Sequence, residues 1–205
     1  MSQKDRPLFI AVTGDIASGK STVSRYFQDN DYVVIYADFI SGSILHQNSD
    51  YVCELIGMKQ FDRKELRSII FRDSKKLAKL EKFLHPKIIL QIQSLIDCYD
   101  NGGEDVVFFE IPLLFESKLQ KGFDLSLLIT ADYKSKIKRI VERDGCKKKE
   151  AEAIIKKQLP QEEKIKLADI IISNNDNFDV FYGKLEIFNQ MMKFIPKKKI
   201  KRLCK

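Results

Sequence analysis

Residues 14 to 21 read Gly-Asp-Ile-Ala-Ser-Gly-Lys-Ser: a glycine, four free positions, then Gly-Lys-Ser. This spacing suits a loop that wraps a phosphate. Gly14 and Gly19 allow a tight turn and a close approach that a Cβ would block. Successive backbone N–H groups then converge on the β-phosphate of a nucleotide. Lys20 reaches the β- and γ-phosphates as a point charge, and the Ser21 hydroxyl is a ligand for Mg²⁺. A helix opening here aims its positive end at the same anion. Gly14, Asp15, Ile16, Ala17, Ser18, Gly19, Lys20, Ser21 and Thr22 are the candidate nucleotide-binding residues.

Five further positions carry chemistry-bearing side chains. Asp38 follows an apolar run, Tyr32 to Tyr36. A carboxylate there can orient or deprotonate an attacking hydroxyl; it reads equally as a helix N-cap. Glu110 ends Val106-Val107-Phe108-Phe109. It reads as a partner of a Mg²⁺-bound water or as an acid placed at a strand end for solvation. His85-Pro86 lies between helical stretches, where a lone histidine is more often a cap than a catalyst. Arg139 and Arg143 share one helix face, with Lys138 and Glu142 on the same helix. A solvated charged surface therefore competes with a pair of lid arginines, a task that suits the fixed, planar, permanently charged guanidinium. Arg143, beside Asp144-Gly145 at the helix end, is the better placed of the two to swing.

These side chains need a scaffold. Leu8 to Thr13 is a short, near-continuous apolar run rich in β-branched residues, as in a strand buried on both faces. Val23, Tyr26 and Phe27 then recur at helical spacing. Further strands are predicted at Tyr32–Tyr36, Val106–Ile111, Leu125–Ile129 and Ile170–Ile172. Two helices are predicted between Asp62 and about Leu84, and another starting at Pro86, since proline suits a first helical turn. That last helix ends at Asn101-Gly102-Gly103. Strands alternating with helices imply an α/β fold: a parallel five-stranded sheet of the P-loop NTPase type with helices on both faces. The whole chain, 1–205, reads as one domain. Residues 7–38 and 104–192 form the nucleotide-binding core. Residues 39–103 are too long for one crossover and form a helical insertion, 139–160 a lid region, and 193–205 a basic tail.

Bulk composition narrows the function classes. The chain has 205 residues, of which 44% are hydrophobic, enough for a real core. No apolar run reaches the length of a membrane span, and the charged start, Met1 to Arg6, has no signal-peptide core behind it. Cys53, Cys98, Cys146 and Cys204 are widely spaced, as in reduced thiols of a cytoplasmic protein. The net charge of +7 equals the seven Lys and Arg of Lys193–Lys205. Such a tail reads as a solvated, frayed end. With no interleaving of aromatic and basic residues, specific nucleic-acid recognition is not expected.

Several blocks together resemble the dephospho-coenzyme A kinase family. They are Thr13 to Thr22; Phe61-Asp62-Arg63-Lys64-Glu65-Leu66-Arg67 with Ile70-Phe71; Leu80-Glu81 and Leu84-His85-Pro86; and Pro112-Leu113-Leu114-Phe115-Glu116. Arg139, Arg143-Asp144, Gln158, Glu163-Lys164, Ala168-Asp169 and Asn174 match in order and spacing. The resemblance implies that ATP and Mg²⁺ phosphorylate the ribose 3′-hydroxyl of dephospho-CoA, giving CoA and ADP. It implies Asp38 as base or hydroxyl-orienting group, an acceptor-binding insertion with His85 and Pro86, and Arg139 and Arg143 in the lid region. Leu113, Phe115 and Glu116 would line the acceptor pocket. A cytoplasmic monomer or weak homo-oligomer with small-molecule partners only is expected. A nucleoside or nucleotide kinase of the same architecture would share the loop and the lid without needing His85-Pro86 or Pro112 to Glu116. A regulatory nucleotide- or RNA-binding protein using the basic tail is a third reading. The chain departs from the family pattern at Asp15 and Ala17, where glycine is usual. It also has Tyr36 for the first acid of an Asp-Ala-Asp element, and Gly42 for an arginine. Asp15 puts a carboxylate beside phosphates, which demands that its side chain turn away.

Overall fold

The computed structural model describes residues 6–100 and 103–203. Five strands form one sheet: β1 (Leu8–Gly14), β2 (Val33–Tyr36), β3 (Val106–Glu110), β4 (Leu125–Thr130) and β5 (Ile170–Ser173), in the order β2-β3-β1-β4-β5. The pairs β1–β3, β1–β4 and β4–β5 are parallel. All seven residues of β1 are buried, which follows from its central place and from helices covering both faces. The chain divides into two compact units. One holds the described residues up to Ile35 and from Cys98 to Arg202; the other holds Tyr36–Asp97 and Leu203.

In the sheet unit, Ile10 and Val12 of β1, Phe108, Leu127 and Ile129 form one face of the core. Helix α1 (Lys20–Asp29) and helix α9 (Phe178–Met191) pack Phe27, Phe181, Leu185 and Phe188 into the same cluster. Phe27 stacks on Phe108 with ring centroids 4.1 Å apart. The alternate residues Phe9 and Phe109 meet edge-on across the other face. Between β4 and β5 run α6 (Tyr133–Asp144), α7 (Lys148–Lys156) and α8 (Gln161–Leu167).

The second unit is helical: α2 (Ala37–Gln47), α3 (Ser49–Ile56), α4 (Arg63–Arg72) and α5 (Ser74–Tyr99). Ile44, Val52, Ile56, Leu66, Leu80 and Leu84 make its core. Asp62 caps α4 by accepting the Glu65 N–H at 2.7 Å. Asp73 starts α5 by accepting the N–H groups of Lys75 and Lys76.

Two sequence expectations are corrected here. Pro86 does not begin a helix; it lies inside the 26-residue α5. An interior proline costs roughly 3 kcal/mol. Here the ring is exposed, while buried Leu80 and Leu84 before it and Ile92 and Ile96 after it hold both halves in place. Of the predicted stop at Asn101-Gly102-Gly103, the first two residues lie outside the described residues. The tail is the second correction, because it is not a frayed end. The Lys198 N–H donates to the fully buried Asp124 carboxylate at 2.6 Å, and the Lys198 ammonium pairs with Asp169 at 2.7 Å. Asp124 also accepts Arg6 at 2.6 and 2.7 Å and the Phe9 N–H at 2.9 Å. The Lys197 ammonium donates to the Arg6 carbonyl, and the Lys201 N–H to the Lys121 carbonyl at 2.8 Å. Buried Asp124 needs these donors, and the tail supplies one of them.

Deleting residues 197–205 should therefore destabilise the fold by about 1–3 kcal/mol, the range for losing hydrogen bonds to a buried charge. Thermal unfolding of full-length and truncated chains checks this; equal midpoints would mean that the tail is solvated after all.

Candidate active site

Helix α1 begins at Lys20, and the connection from β1 runs through residues 15–19. The turn is tight on both sides. A Cβ at Gly14 would lie 2.3 Å from the Ile129 carbonyl oxygen, and one at Gly19 would lie 2.2 Å from Asn174 Nδ2. Gly19 also has a φ of 108°, in the region that glycine favours. Ala17 takes the left-handed conformation, φ 60°, without being glycine, at a cost of roughly 1–2 kcal/mol. Lys20 is 8% exposed, and its ammonium donates to the Gly14 and Asp15 carbonyls, both at 2.9 Å.

The loop is tethered from outside, residue by residue. The Ile16 N–H donates to Gln158 Oε1 at 2.9 Å. Arg139 donates to the Ala17 carbonyl at 3.1 Å and to the Asn174 carbonyl at 3.2 Å. The Asn174 amide donates to the Ser18 carbonyl at 2.8 Å. Asp15 turns away from the phosphate side, as the sequence demanded. Its carboxylate is 3% exposed and lies 2.5 Å from the Lys136 ammonium and 3.0 Å from that of Lys164. Lys164, fully buried, also pairs with Glu116 at 2.9 Å. Burial pushes the Asp15 carboxyl upward. Hydrogen bonds and charge from Lys136 and Lys164 outweigh it and hold the group below the usual carboxylate range.

Nothing in the loop pattern points to Lys136. A signal exists in the periodicity: Lys136 precedes Ile140 by four, so a lysine occupies the core-facing stripe of α6, where it must have a buried partner.

The remaining candidates divide sharply. Glu110 is buried at the carboxyl end of β3, in register with Val12 two residues before Gly14. Ser21 is exposed in the first turn of α1, and Thr22 half-buried behind it. Arg139 reaches the loop. Arg143 does not: it is exposed and forks onto its neighbour Asp144 at 2.7 and 2.8 Å. The preference for Arg143 over Arg139 is thus reversed, because the helix end offers Arg143 a carboxylate one residue away. In the segment after β3, Leu113 is exposed, Phe115 is in the core, and Glu116 is taken up by Lys164 and the Leu159 N–H. Phe115 is therefore enclosed in the core, while Glu116 is half-buried and meets these donors through Oε1. Asp38, His85 and Pro86 belong to the helical unit and are exposed there. Asp38 lies in the first turn of α2, where a carboxylate also complements the helix dipole. Gly42 lies against Arg63, whose Nη2 donates to the Gly42 carbonyl at 3.2 Å.

A glycine-lined anion loop between a central strand and its helix, in a parallel sheet of order 2-3-1-4-5, defines an α/β protein of the P-loop kinase type. Comparison with known proteins narrows this class. A model of the dephospho-CoA kinase family matches residues 8–179. The dephospho-CoA kinase of Fusobacterium nucleatum is 39% identical over 189 residues, covering 88% of this chain and 96% of that one. Among solved structures, TT1252 from Thermus thermophilus superposes with a TM-score of 0.78 at 27% identity, covering 91% of this chain and 98% of the other. Dephospho-CoA kinase from Campylobacter jejuni does so with a TM-score of 0.70 at 30% identity, covering 90% and 96%. The chain belongs to the dephospho-CoA kinase family.

The depressed Asp15 carboxyl has a pH signature. So has that of Asp169, which burial pushes up but Lys198 and Ser126 hold low. A carboxyl lowered by folding stabilises the fold above its unfolded pKa, about 4, and loses that contribution as pH falls through its folded value. The midpoint difference between wild type and Asp15→Asn or Asp169→Asn should be present at pH 7 and close progressively below about pH 4. A difference that persists unchanged into acid would contradict the ion pairing.

Proposed function

We propose that the chain transfers the γ-phosphoryl group of ATP to the ribose 3′-hydroxyl of dephospho-CoA, giving CoA and ADP, in the cytoplasm as a monomer or weak homo-oligomer. The observation that carries this reading is the phosphate loop itself, with Lys20 held over it, in a chain of this family.

Backbone N–H groups of the loop receive the phosphates, apart from those of Ile16, Ser18 and Thr22, which donate to Gln158, Asp15 and Gly19. Lys20 neutralises charge as it shifts between the β- and γ-phosphates. Arg139, already on the loop's carbonyls, supports the nucleotide side. Asp38 orients the acceptor hydroxyl and takes its proton. The new bond forms between O3′ and the γ-phosphorus, the bond from the γ-phosphorus to the bridging oxygen breaks, and ADP leaves. The helical unit, with His85 and Pro86, holds the acceptor.

Ser21 and Glu110 fit Mg²⁺: both offer hard oxygen donors at the carboxyl end of the sheet. Among the described residues no cluster of three His, Cys, Asp or Glu stands ready for a metal. That suits an ion that keeps several waters and binds through one or two protein groups plus substrate phosphates. Bound there, Mg²⁺ would supply charge to the phosphate oxygens.

Mass spectrometry of products after incubation with ATP, Mg²⁺ and a panel of acceptors tests the assignment. Phosphorylated adenosine or nucleoside monophosphate with dephospho-CoA untouched would overturn it. Lys20→Ala should lower kcat by on the order of 10²–10³ with the fold intact, as for other single electrostatic contacts to a transition state. Asp38→Asn should lower kcat by about 10²–10⁴ while ATP affinity stays near wild type. A loss of stability alone would make Asp38 a helix cap.

A further inference from the structure

Asp15 is the first residue after Gly14, inside a loop whose N–H groups must attract polyphosphate. A carboxylate at that position opposes the task unless something removes its charge from the cradle. Four charged groups do so together. Lys136 lies against Asp15 Oδ2, and Lys164 bridges Asp15 Oδ1 and Glu116 Oε1. Lys136 also donates to Gln161 Oε1 at 3.1 Å. Two ammoniums and two carboxylates leave the cluster neutral.

We infer that Lys136 is a positioning residue for nucleotide binding: by clamping Asp15 it keeps the loop's opening turn in place and free of net negative charge. The inference rests on reading this loop as the nucleotide site.

Lys164 cannot replace it. Its single charge is already shared between two carboxylates. Removing Lys136 therefore leaves one uncompensated negative charge directly behind the loop. Removing Asp15 leaves one positive charge. Removing both leaves the Lys164–Glu116 pair, neutral again. The geometry also couples loop and helix. Lys136 and Arg139 are one turn apart on α6 and hold the loop at Asp15 and at Ala17. Without Lys136 the Asp15 carboxylate would be left to Lys164, while Arg139 still holds the loop at Ala17.

The test is a double-mutant cycle on the full chain, with ADP affinity measured by calorimetry, ATP and dephospho-CoA kinetics run alongside, and thermal midpoints recorded. Lys136→Met should weaken ADP binding and raise KM for ATP by on the order of tenfold to a hundredfold, the scale of a nearby like charge and a misplaced contact. KM for dephospho-CoA should change little. Lys136→Arg, which keeps the charge, should stay within about threefold of wild type. Adding Asp15→Gly to Lys136→Met should restore ADP affinity to within about threefold, because the coupled pair is removed together.

A merely structural Lys136 would lower the midpoint and the active fraction without moving KM for ATP. That result, or a double variant that binds as poorly as Lys136→Met, overturns the inference. Should Lys136→Met alone fail to fold, the comparison of the double variant with wild type decides. ADP binding weaker than wild type by about tenfold or more in the double variant would overturn it; affinity within about threefold of wild type supports it. A wild-type chain that bound no nucleotide would overturn the loop reading, and this inference with it.

Discussion

A carboxylate buried behind the phosphate loop, held between two buried lysines, is the interaction on which the site depends. Asp15 could not stay ionised there alone, because taking a charge out of water costs several kcal/mol unless a partner offsets it. Lys136 and Lys164 offset it from two helices, α6 and α8, and Lys164 passes the constraint to Glu116 after β3. Such pairs add little net stability over an apolar core of the same volume. What they fix is geometry, since the four groups tie the loop to the two helices and to the segment after β3.

Packing works on the same loop from within. Gly14 touches the backbone of β4 and Gly19 the side chain of Asn174, so neither position has room for a Cβ. Outside, Gln158, Arg139 and Asn174 take up the polar groups of Ile16, Ala17 and Ser18. These tethers come from the region between β4 and β5 and the turn after it. The loop and the helices between β4 and β5 thus form one hydrogen-bonded assembly, and the order of the sheet is what brings them to the same end.

Where a residue's structure depended on its near neighbours, the sequence was legible. The β1 run, its glycine turn and the following helix stand where the apolar pattern puts them, and the other strands differ from expectation by a residue or so at their ends. Asp62 and Asp73 cap helices by bonds two or three residues long. Pro86 resisted local reading because apolar contacts on both sides outweigh one missing hydrogen bond. The tail resisted it because its acceptors, Asp124 and Asp169, lie 74 and 29 residues away.

By itself, then, the sequence determined the phosphate loop, the α/β class and the family, since each rests on spacing, periodicity or blocks of neighbouring residues. Only the tertiary structure decided which arginine reaches the loop and where the Asp15 charge goes. It also decided that Glu116 serves a lysine and that the basic tail is tied to Asp124 and Asp169. The reason is physical. A hydrogen-bond or ion-pair partner is chosen by proximity in space, and Lys136 meets Asp15 across 121 residues of chain. No local pattern encodes that distance; it is set when the sheet orders its strands and the helices pack against it.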